Sequence, residues 1–88
     1  NMWQPFTVIF DTEASIQSDD AIVMGATVTD SMGPDLRFRL CITRHHAERR
    51  WRIPFSRERI AAHIWMHFEE FESVVTRELG NGKTELVL

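Results

Sequence analysis

The chain has 88 residues, is 43% hydrophobic and 26% charged, and carries a formal charge of −3. These values describe one small globular domain spanning residues 1–88. They exclude a multidomain enzyme and a disordered tail, and no apolar run approaches the ~18 residues of a membrane span. Such a domain buries about 60–65% of its unfolded surface, enough for one core with little room for a deep catalytic cleft.

Asn1 precedes Met2 and reads as the remnant of a tag, with Met2 as the native start. The first basic residue is Arg37, so no signal peptide is expected. Cys41 is the one cysteine, which excludes an internal disulfide, fits a reducing cytoplasm and reads as a small buried hydrophobe. Six Phe and three Trp without a Tyr make the core aromatic and leave no phenol for acid–base work. The net charge conceals an asymmetry: residues 1–35 carry −6, residues 36–59 carry +6 with eight Arg, and residues 60–88 carry −3.

In chain order, Pro5 leads into Phe6–Phe10 (FTVIF), a short β-branched and aromatic strand. Residues 11–20 are acidic and polar and read as a loop. Ala21–Thr29 reads as a second strand with Ile22, Met24, Ala26 and Val28 on one face. Residues 30–35 (DSMGPD) carry turn chemistry. Leu36–Thr43 alternates, with Leu36, Phe38, Leu40 and Ile42 on one face and Arg37, Arg39, Cys41 and Thr43 on the other. The second and third strands should form an antiparallel hairpin with one apolar and one polar face. Residues 44–53 fit either a helical turn or a basic loop, closed by Pro54.

Ser56 is a fitting N-cap, flanked by Phe55 and Ile60 at hydrophobic-staple positions. Residues 57–79 lack Gly and Pro, and Gly80 follows as the capping residue. Ile60, Ile64, Phe68, Phe71, Val75 and Leu79 form a helical stripe, predicting one helix about 35 Å long. Asn81-Gly82 turns the chain into a last strand, Thr84–Leu88. An eight-residue strand covers about 26 Å, so such a helix overhangs the sheet, with Trp65 and Met66 off the main stripe. Either the overhang is buried in a homodimer or against a partner protein, or segment 44–53 folds over it.

Four motifs carry chemistry. Phe10-Asp11-Thr12-Glu13 after a strand resembles the first motif of the DEDD exonucleases, in which an Asp and a Glu hold catalytic metals. Every Asp lies within residues 11–35 and none follows a His, so the rest of that motif set is missing. Gly80-Asn81-Gly82-Lys83-Thr84 looks like the tail of a P-loop. Arg77 stands where the first glycine belongs, and the segment follows a helix instead of opening one, so it reads as a cap and turn. His63, His67 and Glu70 share one helix face at metal-ligand spacing, with Cys41, His45 and His46 as further donors; the bland reading is boundary histidines, and no metal or other cofactor is assigned. The arginine cluster is the strongest lead. Arg49, Arg50, Trp51 and Arg52 interleave bases with an aromatic, Arg37 and Arg39 line the polar sheet face, and Arg57 and Arg59 open the helix. Such a surface suits phosphates, with Trp51 stacking on a base, or an acidic protein partner; its alternative role is internal charge balance against the N-terminal acids.

The segments Ile9-Phe10, Ala26-Thr27-Val28, Cys41-Ile42-Thr43, Phe68-Glu69-Glu70-Phe71-Glu72 and Gly82–Leu88 resemble, in order and spacing, those of domain-of-unknown-function family 1488, a family of small bacterial proteins. The resemblance implies a fold and no catalytic residues, and Arg-rich segment 44–53 departs from it. The sequence therefore predicts a two-layer α+β domain of order β-β-β-α-β, with a three- to four-stranded, mainly antiparallel sheet against one long helix at about 57–79. The expected function is a non-enzymatic, cytoplasmic interaction or regulatory module, with Trp65 and Met66 at its interface, or else a nucleic-acid-binding module using the arginines of residues 37–59.

Overall fold

The computed structural model describes residues 6–30 and 32–88. The readings of Asn1, Met2 and Pro5 fall outside them. The architecture is α+β. Strands β1 (Phe6–Phe10), β2 (Ser15–Ser18), β3 (Ala21–Asp30), β4 (Leu36–Thr43) and β5 (Glu85–Val87) form one mixed sheet. Helices α1 (Arg57–Met66) and α2 (Phe68–Gly80) cover one face, joined there by a π-helical turn over His46–Trp51.

The hairpin of β3 and β4 is the centre of the sheet. It is antiparallel and in register from Ala21 opposite Thr43 to Val28 opposite Leu36. Ile22, Met24, Ala26, Val28, Phe38, Leu40 and Ile42 are all buried on the helix-covered face, as alternation requires. Leu36, at the hairpin mouth, is exposed.

The acidic loop expected over residues 11–20 contains strand β2. Strand β1 pairs with residues 26–30 of β3, and β2 pairs with residues 21–23 of the same edge. The Asp11 amide donates to the Gly25 carbonyl at 2.9 Å, continuing the ladder between them. Residues 6–18 are thus one long strand antiparallel to β3, interrupted by a bulge at 11–14. All four β2 residues are exposed, so no apolar alternation marks the strand. Backbone pairing to β3 makes it.

Two further expectations are corrected. Strand β5 runs parallel to β4, with Arg39 opposite Glu85 and Cys41 opposite Val87, so the sheet has five strands and is mixed. The single helix at 57–79 is two helices, broken at His67, whose φ of −115° and ψ of 36° leave helical geometry. Its amide still bonds the carbonyls of His63 and Ile64, at 3.1 and 3.2 Å, so the break is confined to one residue. Neither Gly nor Pro causes it. Across the break, Phe71 and Val75 pack into the same core as Ile60 and Ile64. Phe68, also on the predicted stripe, is left exposed.

Ser56 caps α1 as expected: its backbone is extended and its Oγ accepts from the Arg59 amide at 3.2 Å. Helix α2 runs through Gly80, and the reversal falls one turn later. The Gly82 amide donates to Leu79 O, Lys83 donates to Glu78 O, and Gly82 takes a φ of 82° that suits a residue without Cβ. Within segment 44–53, residues 44–51 are helical. Its buried Ala47 lets the backbone lie close on the core, and Arg52 ends it in the left-handed region at φ 60°, with its amide returned to the Ala47 carbonyl.

Candidate functional site

The arginines singled out from the sequence occupy three places. Arg37 and Arg39 project from β4 on the open face of the sheet. Arg49, Arg50 and Arg52 ride on the π-helical turn, and Arg57 and Arg59 open α1, both within the helical layer. The sheet therefore separates Arg37 and Arg39 from the other five.

Arg37 forms a two-pronged pair with Asp11: Nη1 donates to Oδ1 at 3.0 Å and Nη2 to Oδ2 at 2.9 Å. Nη1 also donates to Thr27 Oγ1 at 2.9 Å. The fork lies over Gly25, where a Cβ would abut Arg37 Nη2 and stand 2.6 Å from Asp11 Oδ2. The absence of a Cβ lets guanidinium and carboxylate close directly over the backbone. The hydrogen bonds from Arg37 hold the Asp11 carboxyl below its ordinary value; partial burial opposes this, and the guanidinium charge adds to it. In the exonuclease motif Asp11 would face a metal; here both of its oxygens face a guanidinium. Arg39 reaches Gln17 Oε1 at 3.2 Å, and buried Cys41 lies 3.9 Å from the same oxygen.

Arg44 has more partners than any arginine the sequence singled out. It contacts Asp20 Oδ1 and Glu48 Oε2, each at 3.3 Å, donates to Asp19 O at 2.7 Å, and lies 4.4 Å above the Phe55 ring. Its role comes from the β2–β3 turn, which brings Asp19 and Asp20 to the end of β4. The acidic run was visible in the sequence; its pairing was not. Arg57 meets Glu58 at 3.8 Å in a solvent-facing contact, and Arg49, Arg50, Arg52 and Arg59 form no ion pair among the described residues.

Trp51 faces inward. Its indole stacks on His63, with ring centres 4.2 Å apart and planes 20° apart, and meets His46 and Phe71 edge-on at 5.1 and 5.5 Å. It is the keystone between the π-helical turn, α1 and α2, so the expected base-stacking surface is already covered. His67 tilts against His63 at 4.6 Å. Burial lowers the His63 pKa, with His67 and His46 adding to the effect and Glu70 opposing it. Burial also lowers that of His46, with Arg50 and His45 adding. His63, His67 and Glu70 sit at one junction, but among the described residues no three His, Cys, Asp or Glu side chains converge as a cation cage.

Trp65 is anchored at one end and open at the other. Nε1 donates to the Asp11 carbonyl at 2.9 Å and the ring meets Phe10 edge-on at 6.4 Å, yet the residue is 43% exposed. Met66 is 76% exposed and Phe68 41%. The break at His67 thus gathers three large apolar side chains on one elbow. The sequence pointed to Trp65 and Met66, while Phe68 was assigned to the core stripe.

Among the described residues no helix is long and apolar enough to cross a membrane. Comparison with protein-family models, with curated proteins and with solved structures finds no match.

Proposed function

We infer that the protein is a non-enzymatic interaction module that docks through the α1–α2 elbow, with a second copy of the chain as its partner. The observation that carries this is the exposure of Trp65, Met66 and Phe68 within four residues of one another. Isolated surface apolar residues are ordinary, but three large ones within four positions at a helix break mark a candidate interface. Trp65 is fixed by its bond to Asp11, so its ring is presented without further ordering cost. Two-fold pairing is the commonest way for one such patch to bury itself.

Light scattering across a concentration series tests this. The wild type should approach twice the 10.3 kDa chain mass, and Met66→Glu should return it to one chain with an unchanged circular dichroism spectrum. A wild type that stays monomeric at the highest concentration overturns the second copy as partner. Nucleic-acid binding remains a second reading because Arg49, Arg50 and Arg52 are exposed and outside every ion pair among the described residues. It requires salt-sensitive binding of labelled oligonucleotides that is lost in the Arg49→Glu/Arg50→Glu double variant.

A further inference from the structure

On the helical side of β5 lies a groove of about 340 Å³ between the π-helical turn, α2 and the strand. Its floor is apolar, formed by Trp51, Phe71, Val74 and Leu86. Arg50 stands on one wall and Arg77 on the other, with Glu70 as the one carboxylate among the lining residues. Arg50 forms no ion pair among the described residues, and Arg77 meets Glu78 through Nε at 3.6 Å.

The groove runs along the edge of the sheet, because among the described residues β4 is the one strand paired with β5. Arg39 donates to Thr84 O, Leu88 donates to Cys41 O and Thr43 donates to Leu88 O. Residues 84 and 88 therefore turn their backbone groups toward β4. By strand alternation Glu85 and Val87 turn theirs outward. Glu85 and Val87 are both exposed.

We propose that this edge and groove form a binding site for an extended peptide whose alternate, groove-facing positions are apolar at the centre and acidic at the ends. The peptide adds as a strand outside β5, bonding the outward amide and carbonyl groups of Glu85 and Val87. Because a strand turns every second side chain to one face, these apolar and acidic side chains reach the groove together, and the carboxylates meet Arg50 and Arg77. The site is separate from the elbow and does not depend on it.

The test is fluorescence anisotropy of a labelled, acetylated seven-residue peptide with aspartate, valine, valine and aspartate at its odd positions and threonine between them, with a control carrying lysine in place of aspartate. The acidic peptide should bind saturably and the lysine peptide should not. Arg50→Glu should weaken binding at least about tenfold, the size of one lost charge-assisted hydrogen bond. Val87→Pro removes one outward amide and no bond to β4, so it should abolish binding while circular dichroism stays unchanged. Absence of binding, equal binding of the lysine peptide, or undiminished binding to a folded Val87→Pro variant overturns the proposal. So does an oligonucleotide that binds at this site while the peptide does not.

Discussion

Substituting Gly25 by alanine sets two effects of similar size against each other. The added Cβ would occupy the space of the Asp11–Arg37 fork, forcing it open. The atoms it meets are the ends of flexible side chains, so the backbone need not move. Arg37 is 60% exposed and Asp11 38%, which limits the pair to about 1 kcal/mol at most. Alanine in a strand interior is favoured over glycine by about 0.5–1 kcal/mol. The net change near neutral pH should stay within about 0.5 kcal/mol, a shift of at most about 4 °C in a domain of this size. Arg37→Met loses the pair without that compensation and should cost about 1 kcal/mol. The two variants also separate by pH. Folding lowers the Asp11 pKa from 3.8, so the pair's stabilisation is complete above that value and is lost as pH falls through the folded one. Melting curves at neutral and strongly acid pH should show the deficit of Arg37→Met vanishing in acid. Carbon-detected titration of the Asp11 carboxyl should move toward its ordinary value in both variants. A wild-type Asp11 that titrates at its ordinary value, or a Gly25→Ala variant that leaves its titration untouched, would refute the reasoning.

Three further outcomes are expected. Trp51→Ala empties the junction of the π-helical turn, α1 and α2 and should cost about 3 kcal/mol in chemical denaturation, with Trp51→Phe costing clearly less. Burial lowers the pKa values of His46 and His63 below 6.5, so their contribution is complete above that pH and fades as pH drops through the folded values. The melting temperature should therefore fall on mild acidification, and His46→Gln/His63→Gln should flatten that dependence. Ser56→Ala removes the cap on the Arg59 amide and should cost about 1 kcal/mol, read as a shift in the denaturation midpoint at unchanged slope.

Local chemistry made much of the fold legible. The alternation of β3 and β4, the Ser56 cap and the turn after α2 could be read because each depends on neighbours within a few residues. Strand β2 could not, since Ser15–Ser18 buries no side chain and exists through its backbone bonds to β3. The break at His67 was equally hidden, since no Gly or Pro marks it. The arginines announced a charged surface, but the sheet divides it. Trp51, read as an exposed stacking platform, is held inside by His46, His63 and Phe71 from three separate segments.

The sequence by itself determined the class, the apolar faces, the helix start and the charge blocks, because periodicity, capping and composition act over short separations. Tertiary structure decided the parallel docking of β5, the helix bend, the Asp11–Arg37 fork over Gly25, and which apolar residues remained exposed. Each of these depends on groups that meet only when distant segments share one core, and no local pattern records that distance.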